Sequence, residues 1–265
     1  WIKSLQAKQD PETGMYREAT HHTIHTTAHC VAALELLDAR PLHPLRSLAS
    51  LKDAREMEAF LYGLEWKSDP WSQSHPGAGL YAALVLAGEV GPDWQDRYFA
   101  WLWDQADPST GFVRKGCVPG SGEDQSKLFH HLAGTFHYLF NMEYARRPIR
   151  YPAAMVDTCL DIRRRSLFAL ANWVGFAEID WVYCLNRAVR QSGHRHAEAR
   201  EAMEGLARDL VTYLMGLDWQ THGAWDDLHG LFGAVCALAE LQQALPGFVR
   251  TPRPLKLVLD RRPFI

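Results

Sequence analysis

A period of about fifty residues constrains this chain more than any other feature of its sequence. Five apolar stretches align at that spacing, at residues 29–36, 80–86, 135–140, 185–189 and 232–241. Ala33 and Ala83 are 50 residues apart, and Ala33 and Ala237 are 204 apart, which is four steps of 51. Repeats of this length are single supersecondary units, and they stack because none of them buries its apolar face alone.

Each copy is typical of a helical hairpin, so the fold class that the sequence predicts is all-α. Charged, amphipathic segments at residues 94–105 and 197–215 predict outer helices with one apolar face. Other segments are rich in Ala, Leu and Gly on all sides, as expected of helices that neighbours cover completely. These segments predict five inner helices, at residues 20–37, 75–87, 127–144, 176–191 and 225–245.

A short turn motif recurs in two of the copies. Residues 10–16 read Asp-Pro-Glu-Thr-Gly-Met-Tyr, and residues 107–112 read Asp-Pro-Ser-Thr-Gly-Phe. Proline ends a helix, and glycine adopts turn conformations that a side chain resists. The motif therefore predicts the break between the outer and the inner helix of a hairpin.

Composition and charge exclude several classes of protein. The formal net charge is −3, which gives no basic surface for nucleic acid or for an anionic membrane. No apolar run reaches the roughly 18 residues that a membrane span requires. The five cysteines are odd in number and fall mostly within helical patterns. We interpret them as reduced, packed thiols, which favours a cytoplasmic protein.

Alternating helices of this period, joined by the Asp-Pro-x-Thr-Gly-aromatic turn, resemble the α/α-toroid superfamily. This superfamily includes terpenoid cyclases, the catalytic subunits of protein prenyltransferases, and six-hairpin glycosidases and related lyases. The resemblance covers nearly the whole chain and implies one toroid domain over residues 1–265. Such rings usually close with six hairpins, and five inner helices are visible here. Either an N-terminal segment carrying the sixth hairpin is missing, which is the alternative we expect, or the ring has five hairpins.

Polar residues gather at the N-terminal ends of the inner helices, which in a toroid open on one side of the ring. Ten of the thirteen histidines lie at or near these ends. Indole rings beside them can stack on a ligand. The residues predicted to bind substrate are His25, His75, His130, His131, His137, Trp71, Trp181, Trp225 and Arg187.

Cleavage of a glycosidic bond, by hydrolysis or by elimination, is the reaction that this polar, Trp-flanked cleft most readily suggests. Hydrolysis needs one carboxylic acid with a raised pKa and a second carboxylate that activates water or attacks, and it needs no cofactor. Glu178 or Asp180, in an apolar run, fits the acid, and Asp226 or Asp227, on the next inner helix, fits its partner. Asp226 and Asp227 equally suit capping of a helix start. We expect an oligosaccharide or another small molecule as substrate.

The same residues are compatible with elimination chemistry and with two other functions. Elimination or epimerisation would use His or Tyr to move a proton, for which His75, Tyr81, His137 and Tyr138 are available. An isoprenoid enzyme resembling protein prenyltransferases would bind zinc, for which the candidate ligands are Asp180, Cys184 and His229, although the spacing of the first two departs from that family's. A toroid without catalytic activity would bind glycan or protein through the same cleft.

Overall fold

The computed structural model describes residues 1–259, and it confirms the all-α class. The α-helices within these residues are α1 (Ile2–Gln6), α2 (Thr23–Leu36), α3 (Ala54–Gly63), α4 (Pro70–Leu86), α5 (Pro92–Gln105), α6 (Leu128–Tyr144), α7 (Pro152–Arg164), α8 (Ala177–Ser192), α9 (His196–Gly216) and α10 (Leu228–Ala244). Short 3₁₀ helices occur at Arg46–Leu48, Ser50–Lys52 and Gly223–Trp225. The part of the chain that the structure describes contains no strand and no helix long and apolar enough to cross a membrane.

The five predicted inner helices correspond to α2, α4, α6, α8 and α10, and the two predicted outer helices correspond to α5 and α9. The boundary that differs most from its prediction is the start of α4, which lies at Pro70 rather than at His75. Pro70 fits the first turn of a helix, where its fixed φ is suited and no N–H is needed. Pro76 lies inside α4 without ending it, since a proline there removes only one hydrogen bond and the helix is buried along most of its length.

The chain forms two compact units, which we call unit 1 and unit 2. Unit 1 comprises residues 1–106 and 137–148 together with Leu259, and unit 2 comprises residues 107–136 and 149–258. Helix α6 contributes residues 128–136 to unit 2 and residues 137–144 to unit 1. A single domain over residues 1–265 stays a prediction, and its last six residues lie outside the described part of the chain.

The two copies of the turn motif have the same backbone geometry, each within its own unit. The N–H of Gly14 donates to the carbonyl of Asp10 at 2.8 Å, and the N–H of Gly111 donates to the carbonyl of Asp107 at 2.8 Å. Gly14 and Gly111 have φ values of 77° and 76°. A Cβ atom on Gly14 would lie 1.9 Å from the carbonyl oxygen of Pro44, so only glycine fits. Each copy of the motif thus forms a turn between two helices, as predicted, whereas their assignment as outer and inner helices of a toroid stays a prediction.

Each turn is anchored to the inner helix that follows it by one threonine. The N–H of Tyr16 donates to Oγ1 of Thr27 in α2, and the N–H of Val113 donates to Oγ1 of Thr135 in α6, both at 3.0 Å. Both threonine hydroxyls in turn donate to the carbonyl four residues earlier, at 2.7 and 2.8 Å. The sequence repeat is thus accompanied by a repeated set of contacts.

Close packing of α2 on α4 positions the polar residues of unit 1. A Cβ atom on Gly79 in α4 would lie 3.4 Å from both the Cα of His25 and the carbonyl oxygen of Ile24 in α2. The absence of a side chain at Gly79 lets the two backbones approach at the level of His25. Side chains one helical turn from this point are therefore forced together.

Unit 2 is built around α8, which is buried on all sides. Its residues from Ala177 to Val189 are all buried, and α8 packs against α7, α9 and α10. Gly233 in α10 permits close approach, because a Cβ atom there would lie 2.4 Å from the carbonyl oxygen of Gly175. Polar side chains at the start of α8 are consequently removed from water, which strongly perturbs their ionisation.

Candidate functional site

Five imidazole rings meet in unit 1, and we call them the imidazole cluster: His21, His25, His29, His75 and His137. The distances between ring centroids are 4.9 Å for His21 and His25, 4.5 Å for His25 and His29, 4.3 Å for His25 and His75, 4.6 Å for His75 and His137, and 6.2 Å for His21 and His75. His25 and His137 are only 6% exposed, His21 and His75 are half-buried, and His29 is exposed. One side of the cluster is therefore accessible from solvent.

Three elements bring these rings together. His25 and His29 lie one turn apart on α2, and His21 precedes the same face just before the helix begins. His75 extends from α4 and His137 from the part of α6 that belongs to unit 1. Of the predicted binding residues, His25, His75 and His137 are thus brought together, and His21 and His29 join them.

Burial and mutual repulsion keep the inner rings neutral. The pKa of His25 lies well below its usual range because the ring is desolvated and because His75, His29, His137 and His21 surround it. The pKa of His137 is lowered for the same reasons, with desolvation the largest cause. Neutral imidazole near pH 7 can accept a proton or bind a hydroxyl group.

Ser74 determines which nitrogen of His137 carries the proton. The hydroxyl of Ser74 donates to the carbonyl of Trp71 at 2.5 Å, and its oxygen lies 2.7 Å from Nδ1 of His137. A hydroxyl has one proton, so the contact with His137 requires that Nδ1–H be the donor. Nε2 is then the basic nitrogen of this buried ring.

The tyrosines proposed for proton transfer lie in the core of unit 1. Tyr81 donates from its hydroxyl to Oε1 of Gln95 at 2.9 Å. The hydroxyl of Tyr138 packs over Gly77, where an added Cβ atom would lie 2.0 Å from it. Burial raises the pKa of Tyr138 far above its usual range, so this phenol stays protonated.

A second polar group, in unit 2, contains two of the predicted acids. Glu178 and Asp180, in the first turn of α8, are 0% and 1% exposed. Oε1 of Glu178 accepts a hydrogen bond from the N–H of Ala171 at 2.5 Å, whereas neither carboxylate oxygen of Asp180 has a hydrogen-bond partner among the described residues. Desolvation, and next the charge of Glu178, raise the pKa of Asp180 well above its usual range.

The other two predicted acids have a different environment. Asp226 and Asp227 are both exposed, near the start of α10. Asp227 is the N-cap of that helix, and its carboxylate accepts a hydrogen bond from the N–H of His229 at 3.0 Å. This contact is the capping role that the sequence also suggested for Asp227. Exposed and buried carboxylates thus occur on neighbouring helices of unit 2.

Two residues predicted to bind substrate lie in the core of unit 2. Arg187 is 3% exposed and forms an ion pair with Glu240, which is itself 0% exposed. Trp181 is also 0% exposed, and its indole N–H donates to the carbonyl of Cys159 at 2.9 Å. In this structure the polar groups of both side chains bind other residues of the protein.

The remaining predicted residues are distributed over both units. Trp71 is half-buried in α4, one turn before His75 in unit 1. In unit 2, His131 is fully buried and burial lowers its pKa to about 4, while His130 and Trp225 are half-buried. A cleft common to the candidates of both units stays a prediction.

The candidate zinc ligands are not brought together. Asp180 and Cys184 are buried one turn apart in α8, whereas His229 is exposed and packs on Phe176, with ring centroids 4.5 Å apart. Among residues 1–259, no group of three His, Cys, Asp or Glu side chains is arranged to hold a metal ion.

Sequence reasoning missed two acidic residues with clear partners. Glu18, in the loop before α2, contacts Thr20 and His21. Glu240 pairs with Arg187 from a position 53 residues further along, close to one repeat, and that spacing was a usable signal. No periodic pattern in the sequence marks Glu18.

Comparison with protein-family models, with curated proteins and with solved structures finds no match to this chain.

Proposed function

We propose that this chain is a carbohydrate-active enzyme, with the imidazole cluster as its reaction centre, and that it cleaves a glycosidic bond by elimination. The observation that carries this proposal is the contact of five imidazole rings at centroid distances of 4.3 to 6.2 Å, open to solvent on one side. Neutral histidines grouped in this way are suited to abstract and return protons.

Elimination requires a substrate with a carboxyl group beside the carbon that loses its proton, that is, a uronate unit. An imidazole takes the proton from this carbon, and the C–H electron pair becomes a carbon–carbon double bond. The glycosidic C–O bond breaks, and its oxygen receives a proton from an acid. No water is consumed, so the products are a new chain end and an unsaturated sugar.

The surroundings of the cluster suit a sugar. Trp71 lies one turn before His75 on the same face of α4 and is half-buried, and indole rings beside polar groups are a residue type on which sugars stack. The imidazole nitrogens of the cluster supply hydrogen-bonding groups for the hydroxyls of a sugar. Binding sites for small polar molecules combine these two kinds of contact.

The proposed architecture is an α/α toroid. It is supported by the alternation of predicted outer and inner helices and by the turn contacts repeated in the two units. The link to carbohydrates depends on the resemblance to toroid glycosidases and lyases. All five cysteines are free thiols, which supports the cytoplasm as the proposed location.

Hydrolysis is the second candidate, and Asp180 is the observation that favours it. A buried carboxyl group whose oxygens have no hydrogen-bond partner within residues 1–259, and whose pKa is raised, has the properties of a proton donor. Its partner would be Asp226 or Asp227 on the neighbouring inner helix. Because Asp180 is 1% exposed, this reaction also requires that α8 be uncovered for the substrate.

Product analysis separates these functions. The purified protein is incubated with a panel of polysaccharides, some containing uronate units and some neutral. Elimination yields new reducing ends together with ultraviolet absorbance from the double bond conjugated to the carboxylate. Hydrolysis yields reducing ends without that absorbance. Binding without turnover would indicate a glycan-binding toroid, and turnover of prenyl diphosphates with bound zinc would indicate an isoprenoid enzyme; either result would overturn the proposal.

A further inference from the structure

We infer that Glu18 and His21 form a carboxylate–imidazole pair. In this pair, His21 is the general base that takes the proton, and Glu18 is the positioning residue that orients its ring. This inference rests on the proposed function, because it names the base of the same cluster. His21 was not among the residues predicted to bind or to react, and Glu18 carried no signal in the sequence.

Glu18 gathers several donors from the loop before α2. Its Oε2 accepts from the N–H of Thr20 at 2.8 Å and from the hydroxyl of Thr20 at 2.6 Å. Its Oε1 accepts from the N–H of His21 and lies 2.9 Å from Nδ1 of His21. The hydroxyl of Thr26 is a weaker donor to Oε1, at 3.4 Å. Both carboxylate oxygens are therefore engaged, and the loop has a defined conformation.

These contacts determine the tautomer of His21. Nδ1 lies 2.8 Å from Oγ1 of Thr20 as well as 2.9 Å from Oε1 of Glu18. The single hydroxyl proton of Thr20 is donated to Glu18, so Thr20 can only accept from His21. Hydrogen bonds lower the pKa of Glu18 to about 2, so its carboxylate carries no proton near pH 7. Nδ1 must then be the protonated nitrogen, and Nε2 is the basic one.

The position of His21 suits a base that meets a substrate. Its side chain is 32% exposed, whereas His25 and His137 are almost fully buried. Its ring stacks on His25 with an interplanar angle of 6°, so one face is supported from within the cluster. A base whose other nitrogen is held by an ionised carboxylate is oriented before the substrate arrives, and the carboxylate stabilises the imidazolium formed when the proton is taken.

Heteronuclear NMR of protein with isotope-labelled histidine tests the pair without any substrate. In the native protein, the ring nitrogen shifts of His21 should show a proton on Nδ1. In Glu18→Gln the carboxylate is gone, and His21 should change toward the Nε2–H form that free histidine prefers. Glu12→Gln, an exposed acid in the preceding turn, should leave the spectrum unchanged. A proton on Nε2 in the native protein, or no change in Glu18→Gln, would overturn the pair.

Kinetics then test the role of the pair. With a substrate identified by product analysis, His21→Gln should lower kcat by about 10²- to 10⁴-fold, and Glu18→Gln by about tenfold or more, both with little change in KM. Circular dichroism of each variant establishes that it is folded. Full activity of folded His21→Gln would overturn the inference while leaving elimination intact. Absence of any turnover by the native protein would count against the proposed function but would not alter the tautomer result.

Discussion

Oγ of Ser74 lies 2.7 Å from Nδ1 of His137, and both side chains are almost completely buried in unit 1. The serine also donates to the carbonyl of Trp71, so it links the backbone of α4 to the imidazole on α6. This contact determines the orientation of one of the two most buried rings of the cluster, and its removal has a measurable consequence.

Ser74→Ala should destabilise the protein by about 1 to 3 kcal/mol, because Nδ1–H of His137 loses that acceptor in a site removed from water. Urea unfolding at about pH 7 measures the change. Ser72→Ala is the matched control, since Ser72 lies on the same helix and is exposed. Equal stability of the two variants would show that the buried contact contributes nothing.

The lowered pKa of His25 predicts a stability that depends on pH. In the folded protein this ring stays neutral, whereas in the unfolded chain it takes up a proton below about pH 6.5. The unfolded state then binds more protons, so stability is lost as pH falls through this range, by up to about 1.4 kcal/mol per pH unit. The free energy of unfolding of His25→Gln relative to the native protein should rise as pH decreases from 7 to 5. A constant difference would contradict the neutral state of His25.

The ionisation of Asp180 should change the free energy of unfolding with pH in the opposite direction. Its raised pKa means that the folded state keeps a proton that the unfolded chain releases above about pH 3.8, so its contribution to stability is lost as pH rises. Relative to the native protein, Asp180→Asn should gain free energy of unfolding between about pH 4 and pH 7. Asp226→Asn, at an exposed site near the start of α10, is the control. The same trend in both variants would mean that Asp180 is not desolvated in solution.

The ion pair of Arg187 and Glu240 is predicted to be structural. Removing one partner, as in Glu240→Leu or Arg187→Met, leaves the other charge buried and should cost about 3 to 5 kcal/mol. The double variant Arg187→Met with Glu240→Leu should recover much of this loss, because neither charge then remains inside. Thermal unfolding of the native protein, the two single variants and the double variant gives a double-mutant cycle. Additive losses would indicate that the two side chains act independently.

The helical class and the turns could be predicted because they depend on chemistry close in sequence. The motifs at Asp10 and Asp107 contain both the acid that accepts the turn hydrogen bonds and the glycine that permits a positive φ. The start of α4 at Pro70 could not be located from the local sequence, because burial of the helix compensates for the hydrogen bond that Pro76 removes. Local sequence patterns thus determine which segments form helices and turns, whereas tertiary packing determines where the helices end.

The candidate site was only partly predictable. The spacing of His21, His25 and His29 places three rings on one stripe, and this could be read from the sequence. Their contact with His75 depends on the close approach of α2 and α4 at Gly79, which no periodic pattern records. The loop contacts of Glu18 depend on tertiary geometry in the same way.

The most direct test of the central claim is the rate at which His75→Gln forms the ultraviolet-absorbing product from a uronate-containing polysaccharide. His75 contacts three other rings of the cluster, so its loss should lower kcat by about 10²- to 10⁴-fold. His196→Gln, an exposed histidine at the start of α9, should keep the native rate. A folded His75→Gln protein with the native rate of product formation would contradict the claim that the imidazole cluster is the reaction centre.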